Sequence, residues 1–363
     1  MISWCRLGTL LCGLGLATTL AGADTTVKIP MKELEKRGVY PRNFSVYHIA
    51  DDGRTILAAD EPDFTVKKKG VFNRLWLFKL NSDLKIESAK PYALPIYKIE
   101  QANFTPDMKS VVISSKRGSD VHKLNLEDGG LSVLETHTAG EPGFRIHSDI
   151  FSLYLGKLYT VGYFYAGDDV AGDEQMVEID VSKTGKDAFT SVLDMAPIQK
   201  QLTGLRIAST LHPQGMFFYC ADKATGWTVQ RWNVAGGLQK IDEGQMVTGT
   251  WGEGPLAVYC IRKTSGTEVV MANGQSGEKT VIHNSPDNIV NPCLAKDGNT
   301  VVMASEPTPR KVTYWVAQDT DGFKVRKLAE DMPRCTLRVS HNGQVVGMYN
   351  GIQGITLIKL DSK

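Results

Sequence analysis

Residues Ser209–Val234 read STLHPQGMFFYCADKATGWTVQRWNV: a short strand, a polar turn, an apolar strand, a second turn and a third strand. Weaker copies recur from about residue 44 to the C-terminus. They align on the turn after the first strand: Asp51-Asp52-Gly53, Pro106-Asp107-Met108, Tyr154-Leu155-Gly156, His212-Pro213-Gln214-Gly215, Gly252-Glu253-Gly254-Pro255, Lys296-Asp297-Gly298 and His341-Asn342-Gly343. An apolar strand follows each turn, as in Thr55–Ala59, Ser110–Ser114, Met216–Cys220, Leu256–Cys260 and Thr300–Ala304. In most copies a third strand comes next, such as Arg74–Leu80 or Thr228–Val234. The spacing from Gly53 to Gly343 averages about 48 residues, which suits a four-stranded propeller blade with some long loops.

These copies predict an all-β chain, a seven-bladed β-propeller, with six or eight blades as the other counts. The seventh copy stops after its third strand, at Leu360. Near the start, Thr25–Ile29 (TTVKI) alternates like a strand, and Pro30–Arg37 reads as a short helix with Pro near its beginning and Gly38 just past its end. The N-terminal strand is therefore expected to supply the missing fourth strand and close the ring, which removes exposed sheet edges. The expected organisation is a signal peptide over 1–23, a closing strand and helix over 24–43, and the propeller over 44–363.

The phrases IADDGRTILAAD, FTPDMKSVVISS, LAKDGNTVVMAS and VSHNGQVVGMYN resemble the repeats of TolB-type, WD40-like propellers. LHPQGMFFYCAD is similar to one blade of the lactonase-type propellers. No Trp in the chain is followed by Asp, so WD repeats proper are the poorer match. The resemblance implies the fold; it brings no catalytic or ligand residues with it.

Composition narrows the partners. Net charge is +1, hydrophobic residues make up 42% and charged residues 22%. Nucleic acid, which needs a concentrated positive surface, is not an expected partner. Arg6, the apolar run Leu7–Leu20 and the small residues Ala21-Gly22-Ala23 read as a signal peptide cleaved before Asp24, with a retained anchor as the alternative. The expected location is the periplasm or the extracellular space, without stable membrane insertion after cleavage. Cleavage would leave Cys220, Cys260, Cys293 and Cys335. Cys220 and Cys260 occupy the same position in adjacent copies and are expected as buried free thiols, because packed sheets lie too far apart for a bridge. A Cys293–Cys335 bridge stays open.

In a propeller the first strand of each blade borders the central channel, and strand side chains alternate between two faces. Counting back from each turn gives a mostly polar set: His48, Gln101, Asn103, His147, Asp149, Arg206, Thr210, Thr248, Thr250, Asn291, Thr336 and Arg338. This set is the expected channel lining. The longest insertions, Asp60–Asn73 and Tyr163–Glu174, and the crossovers Glu135–Ile146 and Asp194–Leu205 all fall at one end of the ring, which marks that end as the binding face. His48, Asn103, His147, Asp149, Arg206, Arg334 and Arg338 are the candidate residues of the channel mouth, where cations would hold an anionic group through charge-assisted hydrogen bonds.

No HExxH, nucleophile elbow or phosphate loop is present, so no catalytic residue is assigned and no metal site is expected. Asp168, Asp169, Asp173 and Glu174 offer oxygen ligands for calcium, although their spacing fits no EF-hand. The sequence therefore points to an exported, non-catalytic propeller that binds a protein, peptide or envelope component, with a small anionic ligand also in view. The alternative is a lactonase- or lyase-type enzyme acting on a small anionic or sugar-derived substrate.

Overall fold

A computed structural model gives the fold. It describes residues 24–361 apart from 51, 116–119, 147–150, 168–169, 203, 209, 223–225, 250–251 and 309–310. The signal-peptide reading of 1–23 lies outside the described residues. Seven four-stranded antiparallel sheets follow one another around a ring, the third joined by a short extra strand. Their inner strands are Ser45–Ile49, Gln101–Phe104, Pro142–Ile146, Leu205–Ala208, Met246–Gly249, Ile289–Leu294 and Thr336–Val339. The chain is a seven-bladed β-propeller.

Alternation along the second strands explains the ring. In blade 4, Met216, Phe218 and Cys220 face the interface with blade 3, while Phe217 and Tyr219 face blade 5. Val301 and Met303 likewise turn to blade 5, and Val302 and Ala304 to blade 7. A strand buried on both faces must be apolar at every position, which is why these runs show no polar alternation. The buried core accordingly divides into seven clusters, one between each pair of neighbouring blades. Cys220 and Cys260 fall in clusters on different interfaces and are free buried thiols.

The N-terminal strand closes the ring. Thr25–Pro30 pairs antiparallel with Gly354–Lys359 as the outer strand of blade 7. The helix Met31–Lys36 then turns the chain toward blade 1, and Gly38 leaves it at φ 91°. Met31 and Leu34, three residues apart, enter the cluster between blades 7 and 1 beside Trp76 and Phe78. Asp24 pairs with Arg326, and its carboxylate accepts from Asp361 N at 3.1 Å.

The repeated turn has a local cause. In blade 2 the Thr105 hydroxyl accepts from Ser110 N (3.1 Å) and donates to Asp107 Oδ1 (2.6 Å), which also accepts from Lys109 N (3.1 Å). Ser340 and Asn342 repeat the arrangement in blade 7 at 2.9, 2.7 and 3.1 Å. The last turn residue is left-handed: Gly53 (φ 66°), Gly298 (φ 74°) and Gly343 (φ 72°), but Met108 (φ 58°) in blade 2. A side chain there costs about 1–2 kcal/mol against the backbone. Replacing Met108 by Gly is expected to raise stability by about 0.5–1 kcal/mol after the greater unfolded-state entropy of Gly, read as a higher urea midpoint at unchanged slope.

Two connections differ from the sequence reading. Tyr163–Glu174 is not a loop. The strands Lys157–Ala166 and Ala171–Ile179 extend through it as a long hairpin, because Tyr163-Phe164-Tyr165 favour the extended backbone. The crossover ending at Ile146 is shorter, since Pro142 opens the inner strand of blade 3 at a first-strand position that needs no N–H.

Candidate functional site

A cavity of about 890 Å³ runs along the axis. It is off-centre. Blades 6, 7, 1 and 2 supply nearly all of its described wall, whereas blades 3 and 5 contribute Phe151, Gly249 and Leu256. On that far side the turns converge. Thr210–Leu211 pairs in parallel with Gly252–Glu253, and the Ser152 hydroxyl accepts from Gly254 N at 3.2 Å. At the loop-rich end the wall is formed by Thr336, Arg334, Asn350 and Gly351, and the Arg334 side chain is 68% exposed.

Arg338 is held across the blade 7–blade 1 junction. Its Nε donates to Tyr47 O (2.9 Å) and its Nη1 to Leu337 O (2.8 Å), which fixes the plane of the guanidinium. A guanidinium has five N–H groups, so donors remain for a ligand in the cavity. Among the described residues Arg338 makes no ion pair. Arg334 sits nearer the mouth, paired with Glu306 at 3.2 Å, and its carbonyl accepts from Asn350 Nδ2 at 2.9 Å. The course of the chain into the mouth is set by Tyr314, whose hydroxyl donates to Pro333 O (3.2 Å) and accepts from Cys335 N (2.7 Å).

His48 lines the cavity beside His341, with ring centroids 6.2 Å apart and edge to face. Burial, then the neighbouring His341 and Arg338 charges, lower its pKa to about 3. It is therefore neutral at physiological pH and a weak base. Folding must exclude a proton that the unfolded chain accepts below pH 6.5, so this stability is present above that value and is lost as pH falls toward 3. Between pH 6.5 and 5 the protein is expected to lose about 2 kcal/mol from this group. Urea denaturation at the two pH values checks this: His48→Gln should flatten that part of the profile.

The cavity draws together four of the seven candidate residues: His48, Asn103, Arg334 and Arg338. Asn103 is 1% exposed and donates from Nδ2 to Phe151 O at 3.3 Å. His147 and Asp149 lie outside the described residues. Arg206 is on the inner strand Leu205–Ala208, with its side chain outside the description.

The sequence reading missed Lys296, His341 and Tyr349, all on the cavity wall. Lys296 and His341 occupy the turn position that carries Pro106 and Pro213 in other blades, and a reactive side chain in place of that Pro was the available signal. Strict alternation also fails at the wall, where Tyr47, Ala102, Leu294 and Leu337 join the polar set. Bulges between Val46 and His48, and between Val290 and Cys293 with Asn291 at φ 50°, shift which residues point inward.

Cys293 and Cys335 both line the cavity and are free thiols. Burial raises both pKa values. Cys293 is hydrogen-bonded to the backbone of Val339, four residues beyond Cys335 in the chain. In the acidic hairpin, Asp168 and Asp169 lie outside the described residues. Among the described residues no group of three or more His, Cys, Asp and Glu is placed to hold a metal ion. No described helix is long and apolar enough to cross a membrane.

With this geometry in view, similar structures can be set beside the chain. Oligogalacturonate lyase from Vibrio parahaemolyticus superposes with a TM-score of 0.57 at 13% identity, over 88% of this chain and 92% of that one. The likeness is one of fold. A second oligogalacturonate lyase structure, in complex with manganese, gives 0.55 at 12% identity over 89% and 97% of the two chains. TolB from Acinetobacter baumannii gives 0.40 at 14% identity, over 86% of this chain and 65% of that one, a score too low to build on. No family model matches the sequence, and no curated protein does.

Proposed function

We propose that the protein is an exported, non-catalytic propeller that binds a protein, peptide or envelope component at its loop-rich face, drawing an anionic segment of the partner into the channel. One observation carries the reading. The described wall of the cavity contains Lys296, Arg334 and Arg338, and no Asp or Glu. Cations on the wall of a partly dehydrated channel attract a carboxylate more strongly than the same charges on an open surface. Three of the groups on the wall are poorly suited to chemistry: His48 is too weak a base, and the Cys293 and Cys335 thiols are held protonated. Export follows from the N-terminal sequence, Arg6 with the apolar run Leu7–Leu20.

The lyase or lactonase alternative draws on the same cations, which would suit a uronate carboxylate equally well. It needs a general base; burial leaves His48 too weak for that part, and His341 is the other imidazole on the described wall. Calorimetry with tetraglutamate against tetraglutamine, together with incubation with trigalacturonate, separates the two. Binding of tetraglutamate without turnover of trigalacturonate supports the proposal. Formation of unsaturated uronate that depends on Arg338 overturns it.

A further inference from the structure

We infer that the rim of blade 1, beside the channel mouth, is a docking surface for an anionic phospholipid bilayer. The loop between the second and third strands of blade 1 is built to hold an aromatic ring in water. The Asp63 carboxylate caps a single helical turn, Phe64–Lys67, by accepting from Val66 N at 3.1 Å, and Lys67 is fixed by its ion pair with Glu61. Phe64 projects from this turn 71% exposed, with the Lys68 ammonium 4.9 Å from its ring centroid. The crossover to blade 2 is clamped against the same loop, Asn73 Nδ2 donating to Ile96 O at 3.0 Å and to Tyr97 O at 2.6 Å. Tyr97, 73% exposed, meets Phe72 with centroids 6.1 Å apart.

Scattered exposed apolar residues need no explanation, but these are not scattered. Ile352, 88% exposed, occupies the matching loop of the adjacent blade 7, so three apolar tips stand at the same end of the ring on neighbouring blades. The exposed cations Lys68, Lys69 and Lys98 lie among the two aromatic tips on blade 1. Glu61 is paired with Lys67, and Asp63, which keeps its charge while capping the turn, offsets one of the three exposed lysines, so an excess of positive charge remains among these residues.

Separate apolar tips interspersed with lysines match a lipid interface, in which rings enter the headgroup layer while ammonium groups reach phosphates. An acidic protein partner would instead have to fill the gaps between the tips with a complementary surface. Docking by this rim would turn the channel mouth toward the membrane without inserting any segment across it. Leu155 (81% exposed) and Val234 (68% exposed) stand on turns at the opposite end, away from this lysine cluster.

Co-sedimentation with sucrose-loaded vesicles tests the assignment. The purified protein should sediment with phosphatidylcholine vesicles that carry phosphatidylglycerol, not with phosphatidylcholine alone, and should be released as salt is raised. The triple variant K68E/K69E/K98E should partition at least roughly 100-fold more weakly. Phe64→Ser with Tyr97→Ser should weaken partitioning about tenfold or more. Leu155→Ser with Val234→Ser should leave it unchanged. All of these side chains are exposed, so thermal midpoints should match the parent protein. Equal sedimentation with neutral vesicles, or indifference to the lysine and aromatic variants, overturns the proposal. So does capture on immobilised tetraglutamate through these lysines with no vesicle binding, which would make the rim a site for acidic protein.

Discussion

Deleting residues 24–30 is expected to abolish cooperative folding at ambient temperature. The strand Thr25–Pro30 forms six residue pairs with Gly354–Lys359, contributes Ile29 to the cluster between blades 7 and 1, and carries the Asp24–Arg326 pair. Ladder hydrogen bonds contribute roughly 1 kcal/mol each and a buried Ile about 1.5–3 kcal/mol. The lost total is then on the order of 5–10 kcal/mol, comparable with the whole stability of a typical domain. Deletion also leaves Gly354–Lys359 as an exposed edge, a template for association with other chains. A circular-dichroism melt should show a broad, early transition, and light scattering should rise. A synthetic peptide spanning Asp24–Arg37, added in trans, should restore a sharp transition by occupying the vacant edge. An unchanged midpoint after deletion would mean that blade 7 is stable with three strands and that closure is ornamental. The point variant Ile29→Asp, which keeps the ladder and buries a charge, should cost about 3–5 kcal/mol.

The ring was readable because each of its causes leaves a local mark. A second strand squeezed between two neighbours must be apolar at every position, as Met216–Cys220 and Thr300–Ala304 are. The turn that precedes it needs a hydroxyl, an Asp or Asn, and a left-handed residue, as in Thr105-Pro106-Asp107-Met108 and Ser340-His341-Asn342-Gly343. Both patterns lie within a few consecutive residues. The wall of the channel depends on relations that no local pattern encodes. A one-residue bulge at Val46–His48 or Val290–Cys293 exchanges inward and outward faces, so counting from the turn misassigns Tyr47 and Leu294. The contact of Ser152 with Gly254 on the far side of the ring joins residues 102 apart in the chain. Arg338 was legible as a channel residue. Its anchoring on the carbonyl of Tyr47, 291 residues away, was not.

That anchoring leads to the second large effect. Arg338→Gln is expected to weaken binding of a carboxylate probe such as tetraglutamate by roughly 10–100-fold, the loss of a charge-assisted hydrogen bond worth about 1.5–3 kcal/mol. Arg338→Lys keeps the charge but loses the planar fork. It cannot hold Tyr47 O and Leu337 O while also presenting fixed donors to the cavity, so an intermediate loss is expected. Arg334→Gln should cost only a few-fold, because Arg334 is largely solvated and already paired with Glu306. The stability of Arg338→Gln should fall by no more than about 1 kcal/mol, since the two carbonyls it releases border a channel that admits water. The comparison separates a ligand-binding arginine from a structural clasp. A clasp would lower the melting midpoint of every Arg338 variant in parallel with affinity. A ligand-binding residue lowers affinity in the order Gln below Lys below Arg while the midpoints stay together. Equal affinity of Arg338→Gln and the parent protein for tetraglutamate would remove the channel from the proposed binding mode and leave the outer loops as the only contact.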